Sequence, residues 1–285
     1  SLKNCVEDYI LPIFFVPCNL PELIPSVLTE RRNMATSMMT PSKRMASALI
    51  GTLLGIVVVA GVGFALHMAS VDPSGKLYAT KSSETIDVNG KTFPKASVTL
   101  NVYADNGQEQ ELGGKQLNGK ENSKDWVHYG PSTHVVLPAH TYVTMTIKSY
   151  DGGEKLNNAY FARVVGTVDG TMTVDGQVVK DVPEDAVQHT FTLHGLPTSS
   201  QDPLFVNIPL LKVEEGDKGF LPTKDPGTNF KGHTITFSFL TGGKGEYVWN
   251  CEFPCGDGTT ARFGAAMSTL GYMSGHIVID GSAKA

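Results

Sequence analysis

The chain has 285 residues, 23 Lys and Arg against 28 Asp and Glu, a net charge of −5 and 18% charged residues. The absence of a basic excess excludes a nucleic-acid binder that works by neutralising phosphates, and 41% hydrophobic residues exclude an acidic disordered tail. Four Cys are too few for a disulfide-dense scaffold, while 30 Gly and 16 Pro point to short strands and many turns.

Residues 1–44 form an N-terminal segment, cytoplasmic or artefactual. Residues 9–28 are apolar, but Pro12, Pro17, Pro21 and Pro25 together exclude a spanning helix. Met34 offers a start of its own, so residues 1–33, with Cys5 and Cys18, enter no functional argument. Residues 45–71 are different: none of these 27 is Asp, Glu, Lys or Arg. About 20 apolar residues cross a bilayer core, and Gly51, Gly55 and Gly61 suit a membrane helix. A single transmembrane anchor is expected. Arg31, Arg32, Lys43 and Arg44 precede it and Asp72 follows. Positive charge stays in the cytoplasm, which puts the C-terminal part outside the cell membrane. Residues 64–70 contain no clean small-x-small cleavage site, and the apolar run is long for a signal peptide, so an uncleaved anchor is expected.

Beyond the anchor the chain reads as all-β. Residues 97–103 (Ser97, Val98, Thr99, Leu100, Asn101, Val102, Tyr103) alternate with period 2, as do 141–147 and 233–239. Residues 171–179 read as a hairpin with Asp175 and Gly176 at its turn. Residues 105–125 and 214–232 look like irregular insertions. Several strands with turn signals and no long helical period predict a Greek-key β-sandwich or a barrel. The expected divisions are 72–136, a strand-containing part with an insertion, and 137–285, the principal domain.

The densest group of soft ligands lies near the C-terminus. Tyr247, Trp249 and Cys251 fall on one face of a strand, and Cys255 follows in a Pro/Gly turn. Met267, Met273 and His276 come after. Thiolate, thioether and imidazole together form a ligand set for copper. His189 and Phe191 share a face upstream, with His194 opposite. His128, His134, His140 and His233 show no partner pattern and are expected at the surface. His67 sits at the outer end of the anchor. There is no P-loop, no Gly-x-Gly-x-x-Gly opening a helix, no Gly-x-Ser-x-Gly elbow and no His-Glu-x-x-His.

Four segments carry a resemblance to a known family. Leu137-Pro138-Ala139 with the strand to Ile147, His189-Thr190-Phe191, Cys251-x3-Cys255-Gly256-x-Gly258 and Met273-Ser274-Gly275-His276-Ile277-Val278 resemble the cupredoxins. More closely they resemble the outer domain of cytochrome c oxidase subunit II, with its binuclear copper loop. The resemblance covers roughly 137–280, plus the anchor in outline. It departs at two places: Thr259 stands where the family has a second histidine and Arg262 where it has a Met. Counted back from Met273, the histidine position is Leu270.

Three readings follow from the resemblance. In the first, copper is held by His189, Cys251, Cys255 and Met273, with Met267, Asp257 or His276 in the vacant place and the Phe253 carbonyl as a backbone ligand. The protein would then carry electrons from a donor such as a c-type cytochrome to oxidase subunits. In the second, Cys251 and Cys255 form a disulfide and the domain is a copper-free structural subunit of a quinol-type oxidase. In the third, the domain binds or carries copper without electron transfer. A carbohydrate-binding or adhesive sandwich lies outside the resemblance and stays open.

Overall fold

The computed structural model describes residues 41–71, 74–117, 126–152, 158–195, 200–213, 232–253, 255 and 266–280. Asp257, Thr259, Arg262 and most of 214–232 lie outside these residues.

The first element is a helix, α1 (Pro41–Ser70), with proline at its first position, where a missing N–H costs nothing. Its stretch Met45–Met68 is long and apolar enough to cross a membrane. Those 24 residues span about 36 Å at 1.5 Å per residue, which exceeds a hydrocarbon core of about 30 Å. Leu49, Ile50, Leu53, Val57 and Phe64 are all exposed, so the helix has no polar side to turn to water.

The remaining elements are almost entirely strands. They are β1 (Lys76–Tyr78), β2 (Thr80–Val88), β3 (Lys91–Tyr103), a short helix α2 (Asn106–Glu111), β4 (His128–Gly130), β5 (His134–Pro138), β6 (Tyr142–Ser149), β7 (Met172–Val174), β8 (Gln177–Val179), β9 (Val187–Gly195), β10 (Leu204–Leu211), β11 (His233–Leu240), β12 (Gly245–Asn250) and β13 (Ser274–Asp280). They build two sheets. One runs β1-β5-β13-β12-β9-β10; the other runs β2-β3-β6-β11-β7-β8, with β4 paired to β3. The chain changes sheet repeatedly, as between β5 and β6 and between β11 and β12. Both sheets are mixed, because β5 runs parallel to β1 and β13, and β3 runs parallel to β6.

Alternation explains why the sheets stack. In β6, Val143, Met145 and Ile147 are fully buried, while Tyr142, Thr144 and Thr146 are half-buried on the outer face. In β11, Ile235, Phe237 and Phe239 turn inward in the same way. They meet Phe191, Leu193, Trp249 and Ile277 of the other sheet in one contiguous core. This is the expected β-sandwich. The expected hairpin is also present: Asp175 and Gly176 both take positive φ, 49° and 85°, as a two-residue turn between twisted strands requires.

Residues 74–136 thread through both sheets, supplying β1 and β5 to one and β2, β3 and β4 to the other. The described part of the expected irregular insertion at 105–125 contains α2, capped by Asp105, whose carboxylate accepts from the Gln108 N–H. His128, expected at the surface, is wholly buried. Its Nε2 lies 2.9 Å from Glu109 of α2, itself only 3% exposed, and its Nδ1 lies 3.0 Å from the Trp126 carbonyl. A polar ring can be buried there because both of its nitrogens meet acceptors. His140 is exposed, and His134 and His233 are partly so.

Candidate metal centre

The site is assembled by two neighbouring strands and the turn that follows one of them. β9 and β12 pair antiparallel, with Thr192 opposite Asn250. His189 lies towards the start of β9, and Cys251 is the first residue after β12. The β12 alternation buries Tyr247 and Trp249 and carries Cys251 inward with them. The backbone then turns. The Glu252 N–H donates to the Thr190 hydroxyl at 2.8 Å, and the Cys251 N–H donates to the Met273 carbonyl at 2.9 Å. These two bonds tie the turn to β9 on one side and to the approach to β13 on the other.

As a result, one ligand atom each from His189, Cys251 and Cys255 lies within 4.8 Å of the other two, and all three residues are buried. The Cys251 Sγ is 3.7 Å from His189 Nδ1, 3.4 Å from the Phe253 carbonyl and 3.5 Å from the Thr190 N–H. On the far side of the imidazole, Nε2 donates to Asp151 Oδ2 at 2.7 Å. With Nε2 committed to a carboxylate, Nδ1 is the nitrogen left to face the sulfurs.

The electrostatics are those of a thiolate–imidazolium pair. Burial alone would lower the pKa of His189, but the hydrogen bonds to Asp151 and Cys251 outweigh it and raise the value to about 9. Burial pushes the Cys251 thiol up, yet hydrogen bonds from Cys255 and His189 and the histidine charge hold it well below the usual range. Cys255 moves the other way, because its hydrogen bond to Cys251 and its burial both favour the protonated thiol. These directions favour a thiolate on Cys251 and a protonated Cys255, beside an imidazole that a carboxylate orients.

The expected ligands fall into three groups. His189, Cys251, Cys255 and the Phe253 carbonyl converge. Met273 is fully buried and its carbonyl braces Cys251, while Met267 packs half-buried against the core. His276 stands apart: in β13 the buried positions are Gly275, Ile277 and Ile279, which leaves His276 on the outer face, paired with Val248 and with its ring 6.1 Å from that of His134. The two cysteines are not bonded to each other, so the disulfide of the second reading is not formed in this structure. Asp151 was not expected. It lies 38 residues from His189, just past β6, and carries no local signal of a histidine partner.

The donor set suits a metal ion that prefers soft ligands. Two thiols and one imidazole in a buried cluster match copper or zinc rather than magnesium or calcium, which take oxygen ligands. Elsewhere in the core, Tyr129 is fully buried and its hydroxyl has no hydrogen-bond partner among the described residues.

Comparison with known proteins adds names but little weight. No family model matches the chain, and no curated protein matches it. Among solved structures, the copper protein rusticyanin covers 65% of this chain and 78% of its own at 12% identity, with a TM-score of 0.27. Auracyanin B covers 71% of this chain and 97% of its own at 15% identity, with a TM-score of 0.24. A multicopper oxidase covers 65% of this chain and 44% of its own at 10% identity, with a TM-score of 0.25. Scores this low do not bear on the chemistry of this chain, so any functional reading must rest on its own residues.

Proposed function

We propose that this protein is a membrane-anchored, copper-binding electron carrier of cupredoxin type whose β-sandwich lies outside the cytoplasm. The observation that carries the reading is the buried cluster of His189, Cys251 and Cys255, with ligand atoms within 4.8 Å of one another. His189 would supply Nδ1, the two cysteines their sulfurs, and the Phe253 carbonyl a weaker oxygen. Bound there, copper supplies a one-electron couple. The protein's part is to hold the ligands rigid, keep water out and orient the imidazole through Asp151. The Phe191, Trp249 and Phe253 side chains close an apolar shell around the cluster, which favours a fixed geometry in both oxidation states.

This enclosure favours electron transfer over copper delivery, because a delivered ion must be reached by the ligands of its recipient. The free thiols weigh against the copper-free structural reading. The finer proposal is a subunit resembling subunit II of cytochrome oxidase, held by α1 as a single-pass anchor. It would take electrons from a donor such as a c-type cytochrome and pass them to oxidase subunits.

The test is to load the detergent-solubilised full chain with copper and to measure stoichiometry, visible absorption and electron paramagnetic resonance. Two coppers sharing one electron indicate a binuclear centre. One copper with an intense thiolate band indicates a mononuclear one. A protein that takes up no copper overturns the proposal.

A further inference from the structure

β5 and β13 lie inside their sheet, with β1 beyond one and β12 beyond the other. They run parallel, and His134 stands directly opposite His276. Alternation sends both side chains outward. In β5, Val135 and Leu137 join the core, so His134 faces the other way; in β13, Gly275 and Ile277 are buried on either side of His276. Neither histidine had a partner in sequence, and the sheet supplies one: the two rings lie 6.1 Å apart between centroids, with planes at 73°. Both residues are partly exposed.

The backbone beneath the pair is pinned. The His276 N–H donates to the Thr133 carbonyl at 3.1 Å, and the Trp249 indole donates to the same oxygen at 3.1 Å. The spacing of the two strands is thus set next to the two rings. The rest of the row is open to water. Val248, opposite His276, is 42% exposed, and Lys76, opposite His134, is exposed and can turn its ammonium to solvent. Glu246, also exposed, lies diagonal to His276 on the same face, within reach of a long side chain.

Two imidazoles on rigid neighbouring strands suit zinc, copper or nickel rather than magnesium or calcium. Metal–nitrogen bonds of about 2.0–2.1 Å put the centroids of two imidazoles on one tetrahedral ion about 5 Å apart. The observed 6.1 Å closes to that value by a small turn of the rings, whose χ2 torsion is soft. We propose that His134 and His276 form a metal site on the outer face of the sheet for a divalent transition-metal ion such as zinc, each imidazole giving one nitrogen and water completing the coordination. This site is distinct from the cysteine cluster, which lies on the core side of the same sheet, and it does not depend on the copper reading.

The test is calorimetric titration of the detergent-solubilised full chain with Zn²⁺, for the wild type and for His134→Ala, His276→Ala and Cys251→Ser. Each histidine substitution should remove one equivalent of zinc. Cys251→Ser, which disarms the cysteine cluster, should keep that equivalent. Zinc stoichiometry and affinity that stay at the wild-type values in either histidine variant overturn the proposal, as does a Cys251→Ser chain that takes up no zinc. A wild type that binds no copper yet loses one zinc with each histidine upholds this site while overturning the copper reading. His276→Gln keeps a polar side chain at the position should the alanine variant not fold; it should lose the same equivalent, and a retained one overturns the proposal.

Discussion

His189 and Asp151 meet at 2.7 Å, imidazole Nε2 against carboxylate, with the histidine 1% and the aspartate 14% exposed. The bond fixes the ring so that Nδ1 faces the cysteines. Orienting partners of metal-bound histidines are typically worth about 10–100-fold in metal affinity. Asp151→Ala should therefore weaken copper binding by about that factor, without abolishing the fold. Competition titration against a chelator of known affinity measures it. An unchanged affinity would mean that packing alone sets the ring.

Cys251 and His276 separate cleanly as ligand candidates. Cys251→Ser should remove any thiolate-to-copper absorption, because Cys251 lies at the centre of the cluster. His276→Ala should leave the absorption intact, because His276 lies on the outer face of β13. Colour retained in the Cys251 variant, or lost in the His276 variant, would put the centre elsewhere.

The thiolate–imidazolium pair also predicts how the metal-free protein responds to pH. His189 has its pKa raised from 6.5 to about 9, so the stability it contributes is complete below pH 6.5 and is lost as pH rises to about 9. Cys251 has its pKa depressed from 9.0, so its contribution is complete above that value and is lost as pH falls through the lowered one. Where the two windows overlap, the two slopes oppose each other. Below pH 6.5 only the cysteine slope remains, and stability should fall. Denaturant titrations of the metal-free protein at pH 5, 7 and 8.5 test this against Cys251→Ser. A wild-type-minus-variant difference that does not shrink at pH 5 would place the proton on the sulfur of Cys251.

Gly275 is required by a close approach rather than by a turn. A Cβ there would stand 2.0 Å from the Thr133 carbonyl, which also accepts from the Trp249 indole at 3.1 Å. Gly275→Ala should push β5 from β13 and strain that indole bond. The expected cost is about 1–3 kcal/mol of overpacking. The midpoint of chemical unfolding reads it, and an unmoved midpoint would mean the strands part freely.

How much of this was legible in the sequence follows from where each signal lay. The strands around Val98, Val143 and Phe237 showed themselves because one face is buried and the other is wet. The hairpin at Asp175 and Gly176 showed itself by its turn chemistry. β2 did not, because nearly all its side chains are exposed and carry no alternation, although Asn89 and Gly90 after it form a turn with positive φ that could have flagged the hairpin with β3. β10 was hidden by Pro209, which is tolerated because β10 is the last strand in its sheet. At the site, His189, Cys251 and Cys255, which the structure brings together, stood in the segments that carried the resemblance. Asp151 and the burial of His128 were not legible, since each depends on a partner distant in sequence.

The long separation of those partners has a consequence for how the protein comes to be loaded. His189 and Cys251 are 62 residues apart, and nothing local brings them together. They become neighbours only when β9 and β12 zip into the same sheet, a non-local step that must meet its loop-closure entropy before any ligand contact repays it. The newly made chain therefore has no cradle to offer. On the copper reading proposed above, metal uptake would follow closure of the sandwich, and the first appearance of colour in a refolding experiment would serve as a clock for that closure.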